Sequence, residues 1–116
     1  MKLITKTIAN KLYEADQQFL ETGETSQPIV VKFFTPWGAA SWFIVSGTPL
    51  SNINGDPCEP DYARDWHLFG LCDLGMGFPE LGYVLLSQLQ ELHGPFGLTI
   101  ERDMYYGAHT LDEMQS

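Results

Sequence analysis

The chain has 116 residues, which is the size of one domain with a buried core. Its composition, 44% hydrophobic and 13% aromatic, is typical of a globular protein and excludes a disordered one. Fifteen acidic residues against six basic ones give a formal net charge of −9, which disfavours direct binding to nucleic acids.

The first predicted element is a helix that begins near Thr5 and ends before Gly23. Thr5 has the hydroxyl of an N-cap, and Gly23 is a suitable stop. Apolar residues recur from Ile4 onward at the spacing of one helix face: Ile4, Ile8, Leu12, Ala15 and Phe19.

Two strands are predicted next, at residues 29–35 and 41–46, joined by a short loop with Trp37 at its tip. Both strands are apolar on both faces, which places them in the middle of a sheet or between two covering layers. Residues 47–64 contain three prolines and two glycines and are predicted to form a long loop without regular structure. A loop of this length is often functional or mobile.

A second hairpin is predicted from strands at 66–72 and 80–85 around a glycine-rich turn at 73–79. Gly75 and Gly77 permit positive φ in that turn, whereas Gly70 and Gly82, inside strands, indicate bulges or close packing of a helix on the sheet. The turn lacks the third glycine of a dinucleotide fingerprint and the lysine of a phosphate loop, so its glycines are interpreted as conformational.

A short helix follows, with Ser87 as its predicted N-cap, Gln90 at the third helical position and His93 at its end. Residues 98–106 then alternate as a strand with one wet face, and the tail after residue 107 is polar and expected to fray. The elements predict a single α+β domain over residues 1–116. Its core would be an antiparallel sheet of about five strands, with an N-terminal helix and a short second helix packed on it.

No metal, cofactor or catalytic residue is predicted. His67, Cys72 and Asp73 are ligand types, yet they lack metal-binding spacing, and in a strand His67 and Cys72 point to opposite faces. Asp73 beside Cys72 would raise the pKa of that thiol, and no neighbour in sequence activates it. An enzyme acting through carboxylates or Cys72 remains an alternative.

Four carboxylates would form an acid–base site only if the last strand lay beside the second hairpin; they are Asp73, Glu80, Glu101 and Asp103. Solvent-facing carboxylates on a sheet are the ordinary explanation. Tip tryptophans and strand-end tyrosines often anchor protein partners, although they also cap core edges. The predicted interaction residues are therefore Trp37, Asp73, Glu80, Glu101, Asp103, Tyr105 and Tyr106.

The compartment is predicted as cytoplasmic. The chain has no run of about eighteen apolar residues that would span a bilayer, and its first residues lack the apolar core of a signal peptide. Cys58 and Cys72 are expected to be free thiols in a reducing environment.

The charge is uneven along the chain. Residues 1–34 are neutral overall, with four lysines and four acids, whereas residues 35–116 contain Arg64 and Arg102 against eleven acids. An acidic body attracts a basic surface, such as the nucleic-acid-binding face of another protein. The charge equally fits the simpler explanation that it keeps a small protein in solution.

Four segments carry a family resemblance: residues 33–36 with Trp42, the run FGLCDLGMGFPELGYV at 69–84, residues 94–98 and residues 100–103. They resemble a bacterial family of unknown function, DUF2958, over most of the chain. The resemblance implies a gene on plasmids, integrative elements or prophages, near genes for transfer or for evading host defence. It implies no activity and no functional residues. The 47–64 loop looks like an expansion relative to that family.

These observations lead to the hypothesis of a small acidic interaction protein of a mobile element. It would inhibit a host defence of the CRISPR or restriction type by occupying the basic nucleic-acid-binding surface of a protein partner. The alternatives are the enzyme named above and a homodimeric scaffold or regulator without catalysis.

Overall fold

The computed structural model describes residues 3–23, 28–52, 54–75 and 77–103. Two helices and five strands follow one another along the chain, with short 3₁₀ turns at Pro60–Tyr62 and Pro95–Gly97. They are α1 (Lys6–Thr22), β1 (Val31–Phe34), β2 (Ser41–Leu50), β3 (Asp65–Asp73), β4 (Glu80–Leu85), α2 (Leu86–Glu91) and β5 (Glu101–Asp103). The strands form one antiparallel sheet in the order β4-β3-β2-β1-β5, which confirms the predicted α+β fold.

The ends of α1 are those that the sequence predicts. The Thr5 hydroxyl accepts a hydrogen bond of 3.3 Å from the Ile8 amide, and Gly23 adopts a left-handed φ of 69° with its amide donating to the Phe19 carbonyl. Ile8 and Leu12 are buried on the helix face that meets the sheet. None of the helices in the described ranges has the length and apolar character needed to cross a membrane.

The core has two parts on opposite faces of the sheet. The larger part lies between the sheet and both helices and includes Leu12 of α1, Leu89 of α2 and Leu68 of β3. The smaller part, on the other face, contains no residue of either helix and consists of Ile29, Phe43, Val45 and Leu71. Strand β2 therefore contributes to both parts of the core, as predicted for the middle of a sheet, and so does β3. β1 contributes Val31 and Phe33 to the larger part only, and its other face carries the half-buried Lys32 and Phe34.

Strand β2 continues through residues that the sequence assigns to the long loop. Residues 47–50 pair with residues 65–68 of β3, so the prediction of a loop from residue 47 was wrong. Pro49 is tolerated because β1 pairs only with residues 41–44, so no neighbouring strand on that side requires an amide donor from Pro49. The irregular segment begins at Ser51. The predicted tail after residue 107 lies outside the described residues.

The two strand glycines have different roles. β2 carries a bulge between Ile44 and Ser46, and a Cβ on Gly70 of β3 would overlap the Phe43 carbonyl oxygen there. Gly70 is thus required by a close backbone approach at a bulge, which confirms the predicted bulge, whereas the helix packing that the sequence offered as the other explanation is not what Gly70 contacts. A Cβ on Gly82 would meet open space, so the same interpretation was wrong for Gly82.

Helix α2 begins at Leu86 rather than after Ser87, and it ends at Glu91 rather than His93. The shift has a tertiary cause. Asp65 at the start of β3 accepts hydrogen bonds from the Ser87 amide (3.0 Å) and from the Ser87 hydroxyl (2.6 Å). The Gln88 side chain accepts from the Leu85 amide (3.0 Å). A carboxylate from another strand therefore caps this helix.

Candidate interaction surface

Three loops meet at one end of the sheet. The β1–β2 and β3–β4 connections lie there because the sheet is antiparallel, and the segment before β5 arrives at the same end because β5 is antiparallel to β1. We call this region, made of residues 35–40, 73–75, 77–79 and 92–99, the loop end.

The β1–β2 loop is the rigid centre of the loop end. Thr35 is buried, its hydroxyl accepts a hydrogen bond of 3.2 Å from the Ala40 amide, and its own amide donates to the Ala40 carbonyl. Trp37 is half-buried and packs against the larger core cluster. Trp37 lies in the loop between the strands, as predicted, but its half-buried ring packs on the core and is only partly available to a partner.

Both neighbouring loops contact this centre through glycines. A Cβ on Gly94 would overlap the Trp37 ring, and a Cβ on Gly75 would approach the Ala39 Cβ to 2.7 Å. Side chains at these two positions would push the loops apart. The loop end is therefore one packed unit.

The glycine-rich turn displays two apolar side chains. Gly75 and Gly77 have φ of 81° and 84°, which confirms the predicted left-handed turn, and the Asp73 carboxylate accepts a hydrogen bond of 2.9 Å from the Gly75 amide. Leu74 is 56% exposed and Phe78 is 83% exposed. The backbone is thus fixed while these side chains face solvent.

The segment before β5 displays Phe96. This segment is closed by the Gly94 amide donating to the Leu98 carbonyl (2.8 Å) and by the Leu98 amide donating to the Pro95 carbonyl (3.1 Å). Phe96 is fully exposed and has a φ of 60°, the single positive φ of a non-glycine residue in the described part of the chain. An aromatic residue held in that region costs on the order of 1–3 kcal/mol. Leu92 and Leu98 flank it and are also exposed.

The loop end is acidic as well as apolar. Asp73, Glu80, Glu91 and Glu101 lie in or beside its loops. Arg64 is the one Lys or Arg in the sequence between Lys32 and Arg102, and its position before β3 is at the opposite end of the sheet. Carboxylates therefore lie in or beside the loops that expose the apolar side chains, and these loops contain no Lys or Arg.

The predicted interaction residues are only partly brought together. Trp37, Asp73 and Glu80 belong to the loop end or its border. Glu101 and Asp103 lie on the edge strand β5, where they pair with Phe34 and Lys32 of β1. Tyr105 and Tyr106 lie outside the described residues.

The condition for a four-carboxylate site is not met. β5 pairs with β1 and not with β4, so four interstrand steps of about 4.8 Å, roughly 19 Å in all, separate Glu101 from Glu80. Within the described ranges, no three His, Cys, Asp or Glu residues are grouped so that they could hold a metal ion.

The environment of Cys72 does not activate its thiol as a nucleophile. It is half-buried against the larger core cluster, and burial raises the pKa of its thiol. His67 is on the other face of β3, as predicted, where it stacks on Tyr83. Cys58 and Cys72 are both free thiols, as expected.

Phe78 and Phe96 are the residues that sequence reasoning missed. A signal was present, since each is a large aromatic residue between a glycine and a proline, in Gly77-Phe78-Pro79 and Pro95-Phe96-Gly97. Such neighbours favour tight turns, whose central side chains point outward.

Residues 3–113 match the family DUF2958, described as a protein of unknown function. The chain belongs to this family. The resemblance inferred from its motifs is thereby confirmed over nearly the whole length. Comparisons with curated proteins and with solved structures gave no match. The DUF2958 family supplies no functional residues, so a role for the loop end depends on its own geometry and charge.

Proposed function

We propose that this DUF2958 protein is a stoichiometric protein-binding module and that the loop end is its contact surface. The observation that carries the proposal is Phe96, a fully exposed aromatic side chain on a closed loop with a strained backbone. Residual strain of this kind is found where a side chain must be presented in one fixed position.

The other exposed side chains of the loop end support the same role. Phe78 and Leu74 face solvent from the glycine-rich turn, and Leu92 and Leu98 flank Phe96. Aromatic anchors on a rigid support bind partners well because little conformational entropy is lost on binding. The packing of Gly94 and Gly75 on the central loop provides that support.

The charge indicates the kind of partner. The carboxylates around the loop end favour a surface with an apolar pocket and a basic rim, which is a common character of nucleic-acid-binding proteins. Such a partner fits an inhibitor that is encoded on a mobile element, acts in the reducing cytoplasm and binds a host defence protein. The free thiols agree with such a compartment.

The test is a pull-down from host lysate with wild-type protein and matched variants, washed first at low and then at high salt. Phe96→Gly removes the anchor and relieves the positive φ. Phe78→Ala removes the second anchor, and Tyr62→Ala is the control because Tyr62 is an aromatic residue, 72% exposed, at the opposite end of the sheet.

We expect wild type and Tyr62→Ala to retain the same partner, released by high salt, while Phe96→Gly weakens its binding at least about tenfold. The free energy of unfolding of Phe96→Gly should equal that of wild type or exceed it by up to about 1 kcal/mol, because glycine adopts positive φ without strain. Retention of the partner by Phe96→Gly together with Phe78→Ala would contradict the proposal.

A homodimer formed through the loop end is the alternative to a different protein partner. Light scattering distinguishes the two because it measures the oligomeric state of the purified protein. A dimer that becomes a monomer on Phe96→Gly would assign the loop end to self-association. A monomer at high concentration for both forms would leave the heterologous partner as the occupant.

A further inference from the structure

A second site lies between the last turns of α1 and the sheet face that carries His67. It is a cavity of about 320 Å³ with walls that include Asp16, Phe19, Thr48, His67, Phe69 and Tyr83. This volume is at the lower end of the range for small-molecule sites. None of these residues belongs to the loop end.

One wall presents a carboxylate in a fixed orientation. The Thr48 hydroxyl donates a hydrogen bond of 3.1 Å to the Asp16 Oδ2, and Asp16 is half-buried. Burial raises the pKa of Asp16, while the Thr48 hydrogen bond and the proximity of His67 lower it. Burial makes the ionised form of a carboxylate less favourable, and a cationic ligand beside the carboxylate would stabilise that form.

Three further residues that line the cavity form an aromatic cluster. Tyr83 stacks on His67 with ring centroids 4.4 Å apart and an interplanar angle of 9°, and Phe69 tilts against Tyr83 at 4.9 Å. Cross-strand pairing holds these rings together, since Phe69 lies directly opposite Tyr83. Tyr83 is nevertheless 62% exposed, so its ring has free area for a further contact.

A carboxylate beside aromatic rings matches a flat organic cation. A guanidinium or amidinium group donates two parallel hydrogen bonds to a carboxylate and places its plane against an aromatic ring. Among the described residues that line the cavity, none is Lys or Arg that would occupy the carboxylate instead. We propose that this cavity binds a ligand of the guanidinium or amidinium class, with its charge on Asp16 and its flat part along Tyr83.

Among the described residues that line the cavity, His67 has the one basic side chain. It lies opposite Thr48 on the neighbouring strand, and as a cation it would oppose the ligand's charge. Binding should therefore be measured at about pH 8, where histidine side chains are ordinarily neutral.

The experiment is a titration of the full chain with benzamidinium, followed by backbone amide NMR shifts. Benzamide is the matched neutral probe because it has the same ring and nearly the same shape. The variants are Asp16→Asn, which keeps an acceptor for Thr48 but removes the charge, and Tyr83→Ala. Glu14→Gln is the control, since Glu14 is exposed on the same helix and does not line the cavity.

We expect benzamidinium to shift the amides around Thr48, His67 and Tyr83 and to bind at least tenfold more tightly than benzamide. Asp16→Asn should remove that preference, Tyr83→Ala should weaken binding several-fold, and Glu14→Gln should behave as wild type. Equal binding of benzamidinium and benzamide, or no shifts at these amides at millimolar probe, would overturn the proposal.

A third probe, arginine capped at both ends as in a peptide, distinguishes the source of the cation. If it binds with the same dependence on Asp16, the natural ligand is an arginine side chain of a protein. If benzamidinium alone binds, the ligand is a free small molecule. Loop-end variants should leave all three titrations unchanged, so this proposal and the proposed function fail separately.

Discussion

The two ends of the sheet use their loops in opposite ways. The loop end has short connections that expose Leu74, Phe78 and Phe96. The far end consists of residues 51–52 and 54–65 with the start of α2, and it contains a long irregular segment in which several polar groups bond to one another. Asn52 donates to Asp56 (2.8 Å) and accepts from the Asn54 amide (2.9 Å).

The far-end segment is also tied to the sheet. The Cys58 amide donates to the Pro49 carbonyl (3.0 Å), and the Arg64 amide donates to the Leu50 carbonyl (2.7 Å). The proposed contact surface therefore does not coincide with the longest loop. It is distinguished instead by the exposure of apolar side chains on a constrained backbone, and water contact with such side chains is unfavourable unless a partner removes it.

Gly94→Ala should have the largest effect and should damage the loop end alone. The new Cβ would overlap the Trp37 ring, and forced repacking of this kind costs about 3 kcal/mol of the free energy of unfolding. Urea denaturation measures the loss. Gly82→Ala is the control, since its Cβ meets open space. Equal stability of the two variants would show that Trp37 does not support the 92–99 segment.

Asp65→Ala should have the next largest effect, at the far end. It removes the acceptor of two hydrogen bonds that cap α2, and loss of a charged cap costs about 2 kcal/mol. Asp65→Asn keeps an acceptor and should lose about half as much. Thermal unfolding followed by circular dichroism tests both variants, and an unchanged midpoint for Asp65→Ala would reject the tertiary cap.

Asn52→Ala should cost about 1 kcal/mol, because Asn52 both donates and accepts within the far-end segment. Partner capture by the loop end should remain at the wild-type level, as measured in the pull-down above. Loss of capture without unfolding would move the contact surface to the far end and break the comparison.

Asp16→Asn should have the smallest effect on stability, and its sign depends on pH. Burial raises the pKa of Asp16 above its ordinary value of 3.8, so the folded state binds this proton more tightly than the unfolded state. The resulting stabilisation is complete below the ordinary pKa and is lost as pH rises through the folded pKa. Asp16→Asn should therefore be at least as stable as wild type at neutral pH, with the difference vanishing in acid. Denaturation curves at both pH values check the sign, and a less stable variant at neutral pH would contradict it.

The parts of the fold that sequence predicted are those set by near neighbours. Thr5 and Gly23 define α1 through hydrogen bonds within one turn, and Gly75 and Gly77 define a turn through their own φ. Both hairpins followed from such local signals. The family was recognisable because the segments that resemble it are short runs of adjacent residues, of which 69–84 is the longest.

The parts that sequence missed depend on distant residues. Asp65, which is 22 residues before Ser87 in the sequence, caps α2 and so helps to set where this helix begins. The pairing of β5 with β1 keeps Glu101 apart from Glu80. Asp16 meets Thr48 only because α1 lies over β2, so no spacing in the sequence could indicate the cavity. The missed loop-end aromatics are different, because their glycine and proline neighbours were visible.

The pairing of β1 with β5 has a consequence for biosynthesis. Residues 31–34 pair with β2, which follows them closely in sequence, on one edge and with residues 101–103, which are synthesised much later, on the other. Until residues 101–103 have been made, that second edge of β1 has no partner in the sheet, and an open strand edge can pair with other chains. β5 therefore covers an edge that a chain still under synthesis would leave open.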